Sequence, residues 1–204
     1  MSSPVTRLFD RVANVYDSAP LQRLVYRPAQ DLAIKELRAY GATRVLDVGC
    51  GTGLFAARMR AELDAELVCG CDLSPGMLAH ATARSARVEW ILGDSGCLPL
   101  ADGVVDAVVC TEAFHWFDQP RAVAEFHRVL SDGGVLLVAM INPRTEVGSR
   151  LLRAQARKTA RWPTRSDMRR LTENAGFTVR RQHRVNRILG RTLPTVLTVA
   201  ERTD

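Results

Sequence analysis

The chain has 204 residues, 47% of them hydrophobic and 25% charged, with a net charge of +6, which suits one α/β domain with a substantial core and makes a second full domain unexpected. No stretch approaches the roughly 20 consecutive apolar residues of a membrane helix, the longest being Val135 to Ile141, and the opening "MSSPVTRLFDRVANVYDSAP" has charges where a signal peptide would have its apolar segment, so a soluble cytoplasmic protein is expected. The 5 cysteines, Cys50, Cys69, Cys71, Cys97 and Cys110, lack C-x-x-C spacing and a nearby paired His, which argues against a zinc site and against a disulfide framework.

In chain order, apolar runs and turn signals alternate between helices and strands. Helices are expected at Leu21 to Ala39, Leu54 to Leu63, Pro75 to Ser85, Gln119 to Leu130, Val147 to Ala160 and Arg165 to Ala175. Strands are expected at Arg44 to Val48, Leu67 to Asp72, Val88 to Leu92, Val105 to Cys110, Gly134 to Ile141, Thr178 to Val185 and Val196 to Glu201. Such alternation implies a doubly wound, seven-stranded, mostly parallel sheet with helices on both faces, and a ligand site beyond the carboxyl ends of the strands. Ser74-Pro75 reads as a helix start, Thr164 or Ser166 opens the late helix that "AGF" closes at Gly176, and "SDGG" (131–134) reads as a sharp stop before a strand. Cys69 and Cys71, two apart on a strand, share a face, and all the cysteines read as small buried apolar side chains.

The densest signal is "VLDVGCGTG", Val45 to Gly53. A strand runs into glycines at 49, 51 and 53, and a helical apolar pattern follows. A turn so bare between strand and helix reads as a cradle in which backbone approaches a ligand. The dinucleotide fingerprint G-x-G-x-x-G, counted from Gly49, would need its third glycine where the chain has Leu54. The pattern is G-x-G-x-G instead.

With that spacing, and with Asp47 inside the strand, the stretch resembles the first motif of the class I S-adenosylmethionine (SAM)-dependent methyltransferases. Further resemblances follow in register to about residue 141: "CGCDLSPGML" ending the second strand, "GDSGCLPLADGVVDAVVC", "TEAFHWFD", and "EFHRVLSDGGVLLV". The opening "LFDRVANVYD" is similar to that of the type 11 group and of the ubiquinone/menaquinone-biosynthesis C-methyltransferases. The resemblance implies a Rossmann-like fold and SAM as cofactor. It implies cofactor-binding roles for Asp47, Gly49, Cys50, Gly51 and Gly53, for Asp72 at the ribose with Leu73 and Met77 beside it, for Asp94 and Ser95 at the adenine, and for Thr111 at the end of strand four. Tyr16 is carried over as a lid within a helical segment, 1–40. The cofactor-binding core would span 44–141, and the basic part 142–204 would complete the sheet. Asp106 is expected to be structural, and no metal is expected.

A sulfonium leaving group departs neutral, so alignment and exclusion of water carry the reaction, with a base useful for a hydroxyl or acidic carbon acceptor. His115 is the candidate base, while His80, His127 and His183 fit surface or packing roles. Phe114, Trp116 and Phe117 either wall an apolar acceptor pocket or belong to the core. Between Arg144 and Arg191 lie 14 basic residues against the 3 acids Glu146, Asp167 and Glu173, a stretch that reads either as a solvated face or as a surface for anionic partners. Arg144 and Arg150 are candidates to meet an anionic acceptor, and the short segment after strand five leaves the acceptor site open or completed by a second subunit. The expected activity is methyl transfer to an oxygen or carbon of a small organic molecule. RNA methylation and a non-catalytic SAM-binding subunit remain as alternatives, with an NAD-dependent dehydrogenase the least favoured.

Overall fold

The computed structural model describes residues 22–142, 160–186 and 194–203. Tyr16, Arg144, Arg150 and all but the last residue of the helix expected at Val147 to Ala160 lie outside them. Seven strands form one sheet: β1 (Arg44–Val48), β2 (Leu67–Asp72), β3 (Glu89–Leu92), β4 (Val105–Thr111), β5 (Leu130–Ile141), β6 (Phe177–Arg184) and β7 (Thr195–Arg202). The order is β3-β2-β1-β4-β5-β7-β6. Strands β1 to β5 pair in parallel, and β7 lies antiparallel to both β5 and β6. The direction of travel through the sheet reverses between β1 and β4. That boundary is the switch point at which an open α/β sheet leaves a crevice beyond its carboxyl ends.

Alternation along the strands sorts the core into two faces. Leu46, Val48, Cys69, Cys71, Val108 and Cys110 pack with Phe126 and Val129 of α4 (Gln119–Val129) and Met168 of α5 (Arg165–Glu173). On the other face Val45, Val68, Ala107 and Val109 meet Ile34 and Leu37 of α1 (Arg27–Tyr40) and Phe55 and Met59 of α2 (Leu54–Glu62). Helix α3 (Pro75–Arg84) adds Leu78 and Ala81 against Cys50 and Trp90. The shared face of Cys69 and Cys71 follows the period of two, but Cys97 is exposed and belongs to neither layer.

Local chemistry sets the ends of these elements. Ser74 Oγ accepts from Met77 N–H at 3.0 Å with Pro75 in the first turn of α3, and Thr164 and Asp167 form a reciprocal capping box on α5. The expected long helix from Leu21 is divided: a π-helical turn, Gln22–Tyr26, precedes α1, in whose first turn Pro28 stands. Proline has no N–H and crowds the preceding turn, so a uniform α-helical ladder cannot pass through it. The expected stop at "SDGG" is also different. Strand β5 already starts at Leu130, which pairs with Val105, and its register shifts before Val135 pairs with Ala107. Gly133, at φ +71°, carries the chain through that irregularity.

Asp106 anchors the start of β1. Its carboxylate accepts from the N–H groups of Thr43 and Arg44, both at 3.0 Å, and from Thr43 Oγ1 at 2.8 Å. Among the described residues, no helix is long and apolar enough to cross a membrane.

Candidate functional site

The glycine turn is bound to the end of β2 by its own backbone. Gly49 and Cys50 both donate N–H to the Cys71 carbonyl, at 2.8 and 3.1 Å. Gly51 N–H donates to Asp72 Oδ2 at 2.9 Å, while Ser74 N–H donates to Oδ1 at 2.9 Å. One carboxylate therefore clamps the turn after β1 to the turn after β2.

The three glycines have φ values of +75°, +56° and +76°, but they answer to different neighbours. A Cβ on Gly49 would lie 2.5 Å from Ala113 Cβ and 3.0 Å from the Phe117 ring. One on Gly53 would collide with Trp90 and stand 2.8 Å from Ala81 Cβ. One on Gly51 would meet nothing within 4 Å. Gly49 and Gly53 are thus required by packing as well as by φ, whereas Gly51 faces open space.

That space is a cavity of about 290 Å³ at the carboxyl ends of β1, β2 and β4. Of the residues singled out in the sequence, Asp47, Gly49, Cys50, Gly51, Asp72, Leu73, Met77, Asp94, Ser95 and Thr111 line it. Gly53 does not line it; it serves as N-cap of α2. His115 is also not among the lining residues: its ring stacks on Trp162 at 5.1 Å and leans on Trp116 at 5.0 Å. Burial pulls its pKa down to about 4, so the imidazole is neutral at pH 7. Its neighbours Trp116 and Phe117 form cavity wall, while Phe114 is fully buried core, edge-on to Phe117 at 6.0 Å.

Sequence reading missed one side of the cavity. Gln22, Tyr26 and Gln30 reach it from the π-helical turn and α1, at helical spacing of four. Glu112, Asp118 and Arg121 complete the wall after β4. The periodicity was there to be read for the first three, but nothing in it separates a cavity-facing stripe from a core-facing one.

Asp47 is a strongly perturbed acid on the wall. Its side chain is buried, Oδ2 has no hydrogen-bond partner, and its pKa is pushed up to about 8, first by desolvation and then by the Asp72 charge. A buried carboxylate with an unsatisfied oxygen on a cavity wall is a place for a cation. Cys71, also on the wall, is pushed up to about 12 by burial first and then by nearby carboxylates, so its thiol stays protonated and is no nucleophile.

This fold and site define an α/β protein with a cavity at its switch point, where open α/β sheets take their ligands. The "Methyltransferase domain" of the type 11 group matches residues 46–138. The malonyl-[acyl-carrier protein] O-methyltransferase of Dechloromonas aromatica is 35% identical over 143 residues, 69% of this chain and 52% of that protein. Its counterpart from Geobacter sulfurreducens is 33% identical over 190 residues, 85% of this chain and 69% of that protein. In shape, the complex between the Haloferax volcanii Trm112 methyltransferase activator and its methyltransferase gives a TM-score of 0.83 at 21% identity, covering 96% of this chain and 98% of that one.

The chain belongs to the class I SAM-dependent methyltransferase family. It spans about half the length of the first curated relatives it matches. Those relatives bear the malonyl-[acyl-carrier protein] name, not that of the quinone-biosynthesis enzymes to which the opening segment was likened.

Proposed function

We propose that this protein is a SAM-dependent methyltransferase whose acceptor is a small organic molecule, methylated on oxygen in preference to carbon. The observation that carries the proposal is the cavity built around the G-x-G-x-G turn, with the unsatisfied Asp47 carboxylate on its wall. These residues fit the cofactor: an acid seeking a cation, a glycine backbone with open space before it, and two further carboxylates at the ends of β2 and β3. When bound, the cofactor supplies an electrophilic methyl group on a sulfonium that departs as a neutral thioether.

Each wall residue then has a task. Asp47 would meet the ammonium group of the methionine portion. Asp72, whose carboxylate accepts from the N–H groups of Gly51 and Ser74, would accept from the ribose hydroxyls. Asp94, whose Oδ1 accepts from Gly96 N–H at 2.8 Å, and the backbone of Ser95 would take the adenine edge. Leu73, at 52% exposure, and Met77 would give apolar contact, and Gly49, Cys50, Gly51 and Thr111 would present backbone. Trp116 and Phe117 exclude water from the crevice, which strengthens every charge interaction inside. His115 supports that wall through its ring contacts. In this reading alignment, not a histidine base, carries the transfer.

The relatives' names favour oxygen as the receiving atom and make an acceptor linked to an acyl-carrier protein the finer form of the proposal. The test is transfer of labelled methyl from SAM to a panel containing malonyl-acyl-carrier protein, free short-chain acids, phenols and RNA. Label on an oxygen of a small or carrier-linked acceptor supports the proposal. Label on RNA alone would overturn the acceptor class.

A further inference from the structure

Gln30 lines the cavity from α1, and the cofactor contacts above give it no task. It is 7% exposed, and among the described residues its carboxamide has no hydrogen-bond partner. Polar side chains so buried are nearly always paired in folded proteins. One left open on a cavity wall points to a ligand that pairs it.

The fold sets this amide across from Asp47. In α1 a buried stripe runs through Gln30, Ala33, Ile34 and Leu37, spaced by three and four along one helical face. Ile34 and Leu37 pack in the core layer that holds Val45 and Val109. Asp47, two residues after Val45 and in register with Val109 of β4, projects from that same face of the sheet. Helix α1 ends at Tyr40, just before β1 starts at Arg44, so its first turns lie towards the carboxyl end of the strand. Gln30 therefore enters the cavity from the helix side of the layer and Asp47 from the sheet side, and Asp47 Oδ2 is likewise without a partner.

The two side chains are complementary in kind. Asp47 offers acceptor oxygens, whereas the Gln30 carboxamide adds two N–H donors and no charge. The amino-acid head of SAM carries an ammonium and a carboxylate on one carbon. A carboxylate brought beside ionised acids is repelled by them, and a neutral donor offsets this without repelling the ammonium.

We infer that Gln30 is a specificity-determining residue: its carboxamide donates to the carboxylate of the methionine portion, so that the cavity prefers SAM to a donor lacking that carboxylate. The inference rests on the cofactor reading above, in which Asp47 meets the ammonium group.

The test is calorimetric titration of the wild-type chain, Gln30→Leu and Gln30→Glu with SAM, S-adenosylhomocysteine and decarboxylated SAM at neutral pH, beside thermal unfolding of each. Decarboxylated SAM keeps the adenosine, the sulfonium and the ammonium and lacks only the carboxylate. The wild type is expected to bind SAM more tightly than decarboxylated SAM. Gln30→Leu loses a hydrogen bond to a charged group, so SAM and S-adenosylhomocysteine should each bind about tenfold or more weakly, with decarboxylated SAM unchanged. In Gln30→Glu like charges face each other, and decarboxylated SAM should become the tighter ligand. A wild type without preference for SAM, unchanged affinities in Gln30→Leu, or equal weakening of all three ligands there, whatever the unfolding temperature, would overturn the inference. A wild-type chain that binds none of the three would defeat the cofactor reading itself, before any variant is compared, and the inference with it.

Discussion

Alanine at Gly49 and at Gly51 should separate the glycine turn into a packing part and a ligand part. Both positions have positive φ, so each substitution costs about 1–2 kcal/mol in backbone strain. At Gly49 the new Cβ also meets Ala113 at 2.5 Å and Phe117 at 3.0 Å, and overpacking of that kind adds about 1–3 kcal/mol. The totals are about 2–5 kcal/mol for Gly49→Ala and about 1–2 kcal/mol for Gly51→Ala. With 204 residues and an unfolding entropy of about 2.1 cal/mol/K per residue, 1 kcal/mol corresponds to roughly 2.3 °C. Thermal unfolding followed by circular dichroism should then fall by about 5–12 °C in Gly49→Ala and about 2–5 °C in Gly51→Ala. Calorimetry with SAM should invert the ranking per unit of lost stability, because the Gly51 methyl enters the open cavity. Equal losses of stability, with SAM affinity intact in Gly51→Ala, would refute this division.

Three further outcomes are expected. Asp47→Asn should stabilise the ligand-free protein near neutral pH: with the folded pKa raised from 3.8 to about 8, the stability Asp47 permits is fully present below pH 4 and is lost as pH rises towards 8, by up to about 1.4 kcal/mol per pH unit. The pH dependence of urea unfolding should flatten over that window in the variant, while SAM affinity falls, and SAM binding to the wild type should release a proton, visible as a buffer-dependent enthalpy. Asp106→Ala orphans the Thr43 and Arg44 N–H groups and should cost about 1–3 kcal/mol in chemical denaturation with no change in SAM affinity. Thr164→Ala removes a capping box and should cost about 1 kcal/mol, again without effect on the cavity.

Where one physical rule decides a feature, it was legible in the sequence. The bounds of β1 and β2 follow from short runs buried on both faces, apolar but for Asp47 inside β1, and the start of α3 follows from Ser74-Pro75. The antiparallel placement of β7 between β5 and β6 was not legible, because periodicity describes a strand and not its neighbour. The glycine spacing identified the cavity but could not assign the glycines: only spatial neighbours show that Gly53 avoids Trp90 while Gly51 faces open space. Likewise "TEAFHWFD" drew attention to His115, whereas the backbone turns Glu112, Trp116 and Phe117 to the cavity and His115 towards Trp162. Glu112 just before that turn takes a positive φ, which no propensity for glutamate foretells.

The most direct measurement is calorimetric titration of the purified chain with SAM, S-adenosylhomocysteine and NAD, repeated on Asp72→Ala. Binding of the first two with one site per chain, strongly weakened in the variant, and no binding of NAD is the expected result. Binding of NAD alone, or SAM binding indifferent to the loss of Asp72, would contradict the assignment of the cavity at the G-x-G-x-G turn.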